Sequence, residues 1–188
     1  LNQQRREPSS LPTLVTWARI AIAPLVVLLM DVNPMSWGLI AATLFSIGAL
    51  TDWLDGYLAR KMDAVSTWGK FLDPLADKVL VSSTLIMMAI IKLLDPYSVI
   101  ILFNRDILIG GVRSLAASRG QIIAAGPAGK WKTALQMIAI PILLVAVDPF
   151  FLPLRPLGIL LIWISVALSL FSGWQYFNSF RSHKTKTS

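Results

Sequence analysis

The chain has 188 residues, 55% of them hydrophobic and only 14% charged, against the roughly 25% charge of an ordinary globular domain. A mean hydropathy of +0.67 and repeated long apolar runs exclude a conventional soluble fold and imply an integral membrane protein. The net charge is +7 and cysteine is absent, which removes disulfides, thiol nucleophiles and cysteine-ligated metals.

Six apolar segments follow one another, at 11–30, 36–59, 69–94, 96–117, 129–147 and 154–177. A membrane-spanning helix needs about 20 residues; the fifth segment is slightly short and the others reach that length. A polar arm, 1–10, precedes the first segment. Its "RREP" before an apolar run resembles a signal peptide, but the run is long and lacks a convincing cleavage site, so a retained first helix is expected. Asn33-Pro34 marks the turn into the second segment. Asp95-Pro96 marks the turn into the fourth, and "DPFFLP" near residue 150 the turn into the sixth. A basic tail, 181–188, closes the chain and holds its only histidine, His183. There is no internal repeat and no linker long enough to divide domains, so 1–188 is expected to form one membrane domain.

The basic residues set an orientation. Arg5, Arg6, Arg60, Lys61, Lys70, Arg119, Lys130, Lys132, Arg181, Lys184 and Lys186 fall on one side, and only Lys92 and Arg155 on the other. Positive-inside bias then puts both termini in the cytoplasm, as an even number of spans requires. The expected fold is an all-α, six-transmembrane-helix bundle with a cytoplasm-facing polar cavity. Cations clustered between apolar runs are explained by orientation and by phosphate-bearing ligands, not by nucleic acid. Arg19, Lys78, Arg105 and Arg113 lie inside the segments, where charge is costly and usually functional or paired. Lys78 and Arg19 are near segment ends and have the option of snorkelling; Arg105 is deeper.

With His183 in the tail and the sole glutamate, Glu7, in the N-terminal arm, a general base in the body of the protein must be sought among the aspartates. Asp52 and Asp55, three apart, share a face of the second helix; Asp73 and Asp77, four apart, share a face of the third. A short connection makes these helices antiparallel neighbours, so the four carboxylates can converge at one depth. Unrelieved, they would repel. All-oxygen ligation suits Mg²⁺, Mn²⁺ or Ca²⁺, and two such ions can share four carboxylates. The plainer reading is a solvated turn with capping aspartates. Gly56, Ala59 and Gly69 beside them suggest close approach of a ligand, with small-residue helix packing as the alternative. Arg60, one turn after Gly56, is within reach of an anion or anchors the helix end.

The pattern D-x-x-D-G-x-x-A-R-(x8)-G-x-x-x-D-x-x-x-D, matched at Asp52, Asp55, Gly56, Ala59, Arg60, Gly69, Asp73 and Asp77, resembles the signature of CDP-alcohol phosphatidyltransferases. The resemblance implies two divalent ions, Mg²⁺ or Mn²⁺, binding the pyrophosphate of a CDP-linked lipid. It implies Asp52, Asp55 and Asp73 as main ligands, with Asp77 near the second ion and acting as general base. Gly56, Ala59 and Gly69 would leave room for the cytidine, and Arg60 would support the helix junction or a phosphate.

The acceptor lies outside the signature. Arg105 and Arg113, eight apart on the fourth segment, and Lys130 and Lys132, opening the fifth, suggest an acceptor that already carries phosphate. Membrane anchoring is the competing account of the two lysines. Asp106 adjoins Arg105 but leaves the helix in another direction and is expected to be a poor partner for it. Thr16 and Arg19, three apart on the first helix, are candidates to face the same cavity. "LPTLVTWAR", "GKFLDPLADK" and "GKWKT" extend the likeness to members of the family that transfer a phosphatidyl group from CDP-diacylglycerol to glycerol 3-phosphate. The family likeness also implies a homodimer among membrane lipids, in a bacterial cytoplasmic membrane or an organelle equivalent. Cardiolipin-forming and phosphatidylinositol-type members are the alternatives, because Arg-Asp at 105–106 also occurs in the former. A transporter using intramembrane carboxylates is the rival of a different class. It would place its acids near midplane on broken helices, often with inverted repeats.

Overall fold

A computed structural model describes residues 10–62, 67–118 and 126–185, with side chains for 17–51, 78–114, 116 and 126–177. The described residues form α1 (Ser10–Val32), α2 (Pro34–Met62), α3 (Thr67–Ile90), α4 (Pro96–Ser118), α5 (Pro127–Val145) and α6 (Arg155–Thr185), with a short 3-10 helix at Pro149–Leu154 before α6. Among them there is no strand. Pro34–Thr51 and Pro149–Phe177 are long and apolar enough to cross a bilayer, and Lys78–Ile90 is a shorter apolar stretch.

Three Asx-Pro steps start helical elements in the same way. The Asn33 carboxamide oxygen accepts from the Ser36 N–H at 3.2 Å. The Asp95 carboxylate accepts from the Ser98 N–H, and the Asp148 carboxylate from the Phe150 N–H, each at 2.8 Å. Each satisfies an N–H that the helix start leaves without a partner, and the following proline sits where its missing N–H costs nothing.

The third helix ends earlier than its apolar run. Lys92 adopts φ 60°. Its N–H donates to the Ala89 carbonyl at 3.1 Å and the Leu93 N–H to the Met88 carbonyl at 2.9 Å. That pair of bonds is a Schellman closure with lysine in the place usually taken by glycine. Leu93 and Leu94 lie beyond the helix yet are buried, so apolar character continues where helical geometry stops. The Arg155 guanidinium donates to the Lys92 carbonyl at 2.9 Å, tying the start of α6 to this turn.

α5 packs along α6 and against α2; α1 packs on α2 and α3, and α4 on α6. Gly38 of α2 lets two backbones meet, because a Cβ there would stand 2.5 Å from the Leu144 carbonyl oxygen of α5. Gly158 of α6 does the same for the Leu143 side chain, at 2.6 Å. Phe45, Met88, Leu102, Ile140, Leu143 and Ile162 fill the core and are essentially inaccessible. The outer surface is apolar as well: Leu28, Leu108, Phe150 and Trp174 are all exposed. A water-soluble monomer rarely shows so much exposed apolar surface, whereas a lipid-facing surface requires it. Several hydroxyls within the helices are satisfied locally. Thr43, Ser46 and Thr84 donate to the carbonyls of Leu39, Ala42 and Leu80, each four residues back, as an apolar solvent demands.

Candidate active site

Asp52, Asp55, Gly56, Ala59 and Arg60 fall in the last turns of α2, and Gly69, Asp73 and Asp77 in the first turns of α3. The helical backbone keeps the two aspartate pairs at spacings that share a face, and α2 and α3 contact one another. The side chains of these eight residues, and that of Thr16 in α1, lie outside the described residues. Four carboxylates on two adjoining helices are hard oxygen donors of the kind a divalent cation takes.

Next to α3 opens a cavity of about 830 Å³ between α2, α3, α4, α5 and α6. Arg105, Arg113, Lys130 and Lys132, singled out in the sequence as acceptor-side cations, all line it. So does Lys78, whose ammonium stands beside Gly110: a Cβ on that glycine would lie 3.2 Å from Nζ. Asp106 is the one acid among the described lining residues, so the described wall is strongly positive and suits an anion.

Arg105 is fixed by α6. Its Nε donates to the Ser169 carbonyl at 2.9 Å, and Nη2 donates to the Ser172 hydroxyl. Its Nη1 lies 3.2 Å from Asp106, which corrects the expectation that Asp106 is a poor partner. Neighbouring helical residues diverge by about 100°, but the long guanidinium reaches around the helix. Lys132 of α5 then holds the carboxylate in place by donating to both of its oxygens. Lys132 is therefore a buried, paired cation, its side chain 4% exposed. An exposed membrane anchor would be free of such a partner. Arg113 stands over the Tyr176 ring, 6.0 Å from its centroid.

Arg19 departs from expectation. It is 2% exposed, so it does not snorkel; its stem packs near Gly48 of α2, and it is not among the residues lining the cavity. The α6 contribution was missed from the sequence, although a signal is present. Ser165, Ser169, Ser172 and Tyr176 are spaced four, three and four apart in an apolar helix and all are buried. That is a polar stripe of helical period facing inward. Gln136 was missed too. It follows Lys132 by one turn of α5, lines the cavity, and is 3% exposed.

A family model described as CDP-alcohol phosphatidyltransferase matches residues 9–171. The chain belongs to this family. Divalent-metal dependence is general among its members, and an all-helical membrane protein is what the family leads one to find. The chain is 40% identical over 182 residues to a Bacillus subtilis protein named CDP-diacylglycerol--glycerol-3-phosphate 3-phosphatidyltransferase, covering 90% of this chain and 94% of that one. It is 43% identical over 178 residues to an Arabidopsis thaliana protein with that name and the numeral 2, covering 87% and 76%. An Oryza sativa protein named cardiolipin synthase (CMP-forming) is 38% identical over 181 residues, 87% of this chain and 55% of that one.

Proposed function

We propose that the protein transfers a phosphatidyl group from CDP-diacylglycerol to sn-glycerol 3-phosphate, releasing CMP and forming phosphatidylglycerophosphate. The observation that carries the acceptor assignment is the cation-lined cavity, with Arg105, Arg113, Lys130 and Lys132 on one wall system. The names of the relatives in Bacillus subtilis and Arabidopsis thaliana point the same way.

In this reading Asp52, Asp55 and Asp73 would hold divalent ions, Mg²⁺ or Mn²⁺, with Asp77 near the second of two. Divalent ions held there would supply charge neutralisation for the pyrophosphate and for departing CMP. Gly56, Ala59 and Gly69 give the cytidine room, and Arg60 supports the junction or a phosphate. Asp77 accepts the proton of the acceptor hydroxyl. The hydroxyl oxygen bonds to the phosphatidyl phosphorus as the bond from that phosphorus to the CMP oxygen breaks. Arg105 and Lys132, oriented by Ser169, Ser172 and Asp106, hold the acceptor phosphate with Arg113 and Lys130. Thr16 would support this region from α1, whereas Arg19, which does not line the cavity, is left out of the acceptor set.

The proposal includes a single domain of six spans with both termini and the cavity on the cytoplasmic side, supported by the distribution of lysine and arginine along the sequence. A homodimer is supported by the family resemblance alone. The likeness to the Oryza sativa protein favours a second reading, in which the acceptor is phosphatidylglycerol.

CMP release from CDP-diacylglycerol, measured with purified protein and each of glycerol 3-phosphate, inositol, inositol phosphate, serine and phosphatidylglycerol, tests the proposal. Glycerol 3-phosphate is expected to support turnover. Turnover with phosphatidylglycerol and none with glycerol 3-phosphate would replace the first reading with the second. No CMP release with any alcohol, in the presence of Mg²⁺ or Mn²⁺, would contradict both.

A further inference from the structure

Among the described residues, the terminal amide nitrogen of Gln136 finds no hydrogen-bond partner although it is buried in the cavity wall. A buried N–H without a partner keeps its full desolvation cost, and each such group calls for an explanation; a hydrogen bond to a bound ligand would supply one. On its far side Gln136 borders a crevice walled by Val81, Leu85, Val99, Leu102 and Phe103, with Ser82 and Asp106 as its other polar lining residues, so the amide stands where the polar cavity meets the apolar core.

We infer that Gln136 recognises the non-reacting hydroxyl of the acceptor polyol and so determines specificity for it. The inference rests on the proposed use of glycerol 3-phosphate. Lys132 and Gln136 are four residues apart on α5, a rise of about 6 Å. With the acceptor phosphate held at the level of Lys132 and Arg105, that rise brings the hydroxyl on the second carbon to the level of the Gln136 amide. An amide carries both donor and acceptor, and a hydroxyl does too, so the pair is complementary in either orientation. The primary hydroxyl remains free for attack. A site built to hydrogen-bond a hydroxyl rejects the analogue lacking it far more strongly than an apolar site rejects an added one.

The test compares glycerol 3-phosphate with 3-hydroxypropyl phosphate, which keeps the attacking hydroxyl and the phosphate but lacks the middle hydroxyl. With the full chain and CDP-diacylglycerol, the unsubstituted protein is expected to favour glycerol 3-phosphate at least about tenfold in kcat/KM. In Gln136→Leu the preference is expected to fall to within about threefold, by loss of activity on glycerol 3-phosphate with 3-hydroxypropyl phosphate little affected. Without acceptor, Gln136→Leu is expected to melt at the same temperature or higher, since it removes an unpaired donor. The upward shift in melting temperature caused by glycerol 3-phosphate is expected to shrink. If Gln136→Leu does not fold, Gln136→Met, closer in shape, makes the same comparison. Unchanged selectivity in an active variant, or no preference in the unsubstituted protein, would overturn the inference while leaving glycerol 3-phosphate as acceptor. CMP release with phosphatidylglycerol and none with glycerol 3-phosphate would overturn the acceptor reading and this inference with it.

Discussion

Asp106 of α4 receives Lys132 of α5 on both carboxylate oxygens and Arg105, its own neighbour, on one of them. One carboxylate thus sets the position of two cations that belong to different helices. Removing it by Asp106→Ala leaves the Lys132 ammonium buried without a counter-charge. The expected cost is roughly 3 kcal/mol, the lower end for a broken buried pair because Asp106 is itself partly exposed. Adding Lys132→Met should recover most of that loss in thermal unfolding of the purified protein, while leaving acceptor binding impaired. Additive losses in the double variant would show that the two residues are not coupled.

Asp77→Asn should abolish CMP release while leaving affinity for CDP-diacylglycerol largely intact. The amide keeps the shape and an oxygen donor but is no longer a base. Turnover measured beside equilibrium binding of the CDP-lipid checks this, and substantial remaining turnover would remove Asp77 from the role of base.

Gly38 and Gly111 are both helical, and alanine should act oppositely at the two. At Gly38 the new methyl would meet the Leu144 carbonyl oxygen at 2.5 Å, whereas at Gly111 nothing among the described residues lies within 4 Å. Gly38→Ala should cost roughly 1–3 kcal/mol by forcing α2 and α5 apart. Gly111→Ala should gain up to about 1 kcal/mol from helix propensity. Chemical denaturation of the two variants compares them directly; equal effects would mean that the α2–α5 approach is not constrained by Gly38.

Lys92→Gly relieves a left-handed backbone position (φ 60°) that glycine adopts without a steric penalty. A gain of roughly 0.5–1 kcal/mol is expected, with catalysis unchanged, since the residue belongs to the α3–α4 turn. A loss of stability would show that the lysine side chain contributes more than its backbone strain costs.

The helix starts were legible because Asn33-Pro34, Asp95-Pro96 and Asp148-Pro149 each carry their capping chemistry within four residues. The end of α3 was not, because Leu93 and Leu94 continue the apolar run while Lys92 closes the helix by a backbone conformation that hydropathy does not register. Arg105, Arg113, Lys130 and Lys132 were legible as a group because charge in an apolar segment is conspicuous, and all four line one cavity. Their partners were not: Asp106 and Lys132 are 26 residues apart, and Arg105 reaches 64 residues along the chain to Ser169. Only the packing of α4 on α6, and the reach of the Lys132 side chain from α5 to Asp106, brings them together. The inward stripe from Ser165 to Tyr176 was present in the sequence as spacing, but serines in apolar helices also bond their own backbone, so spacing alone does not distinguish a site from a local satisfaction.

The separation of the site into a carboxylate side for the CDP-lipid and a cationic side for the acceptor is tested most directly by Arg105→Ala, with KM determined for each substrate separately. Loss of its guanidinium removes a charged contact worth roughly 1.5–3 kcal/mol. KM for glycerol 3-phosphate is therefore expected to rise at least about tenfold, with KM for CDP-diacylglycerol within about twofold of the unsubstituted protein. Equal increases for both substrates would contradict the separation and assign Arg105 a general structural role.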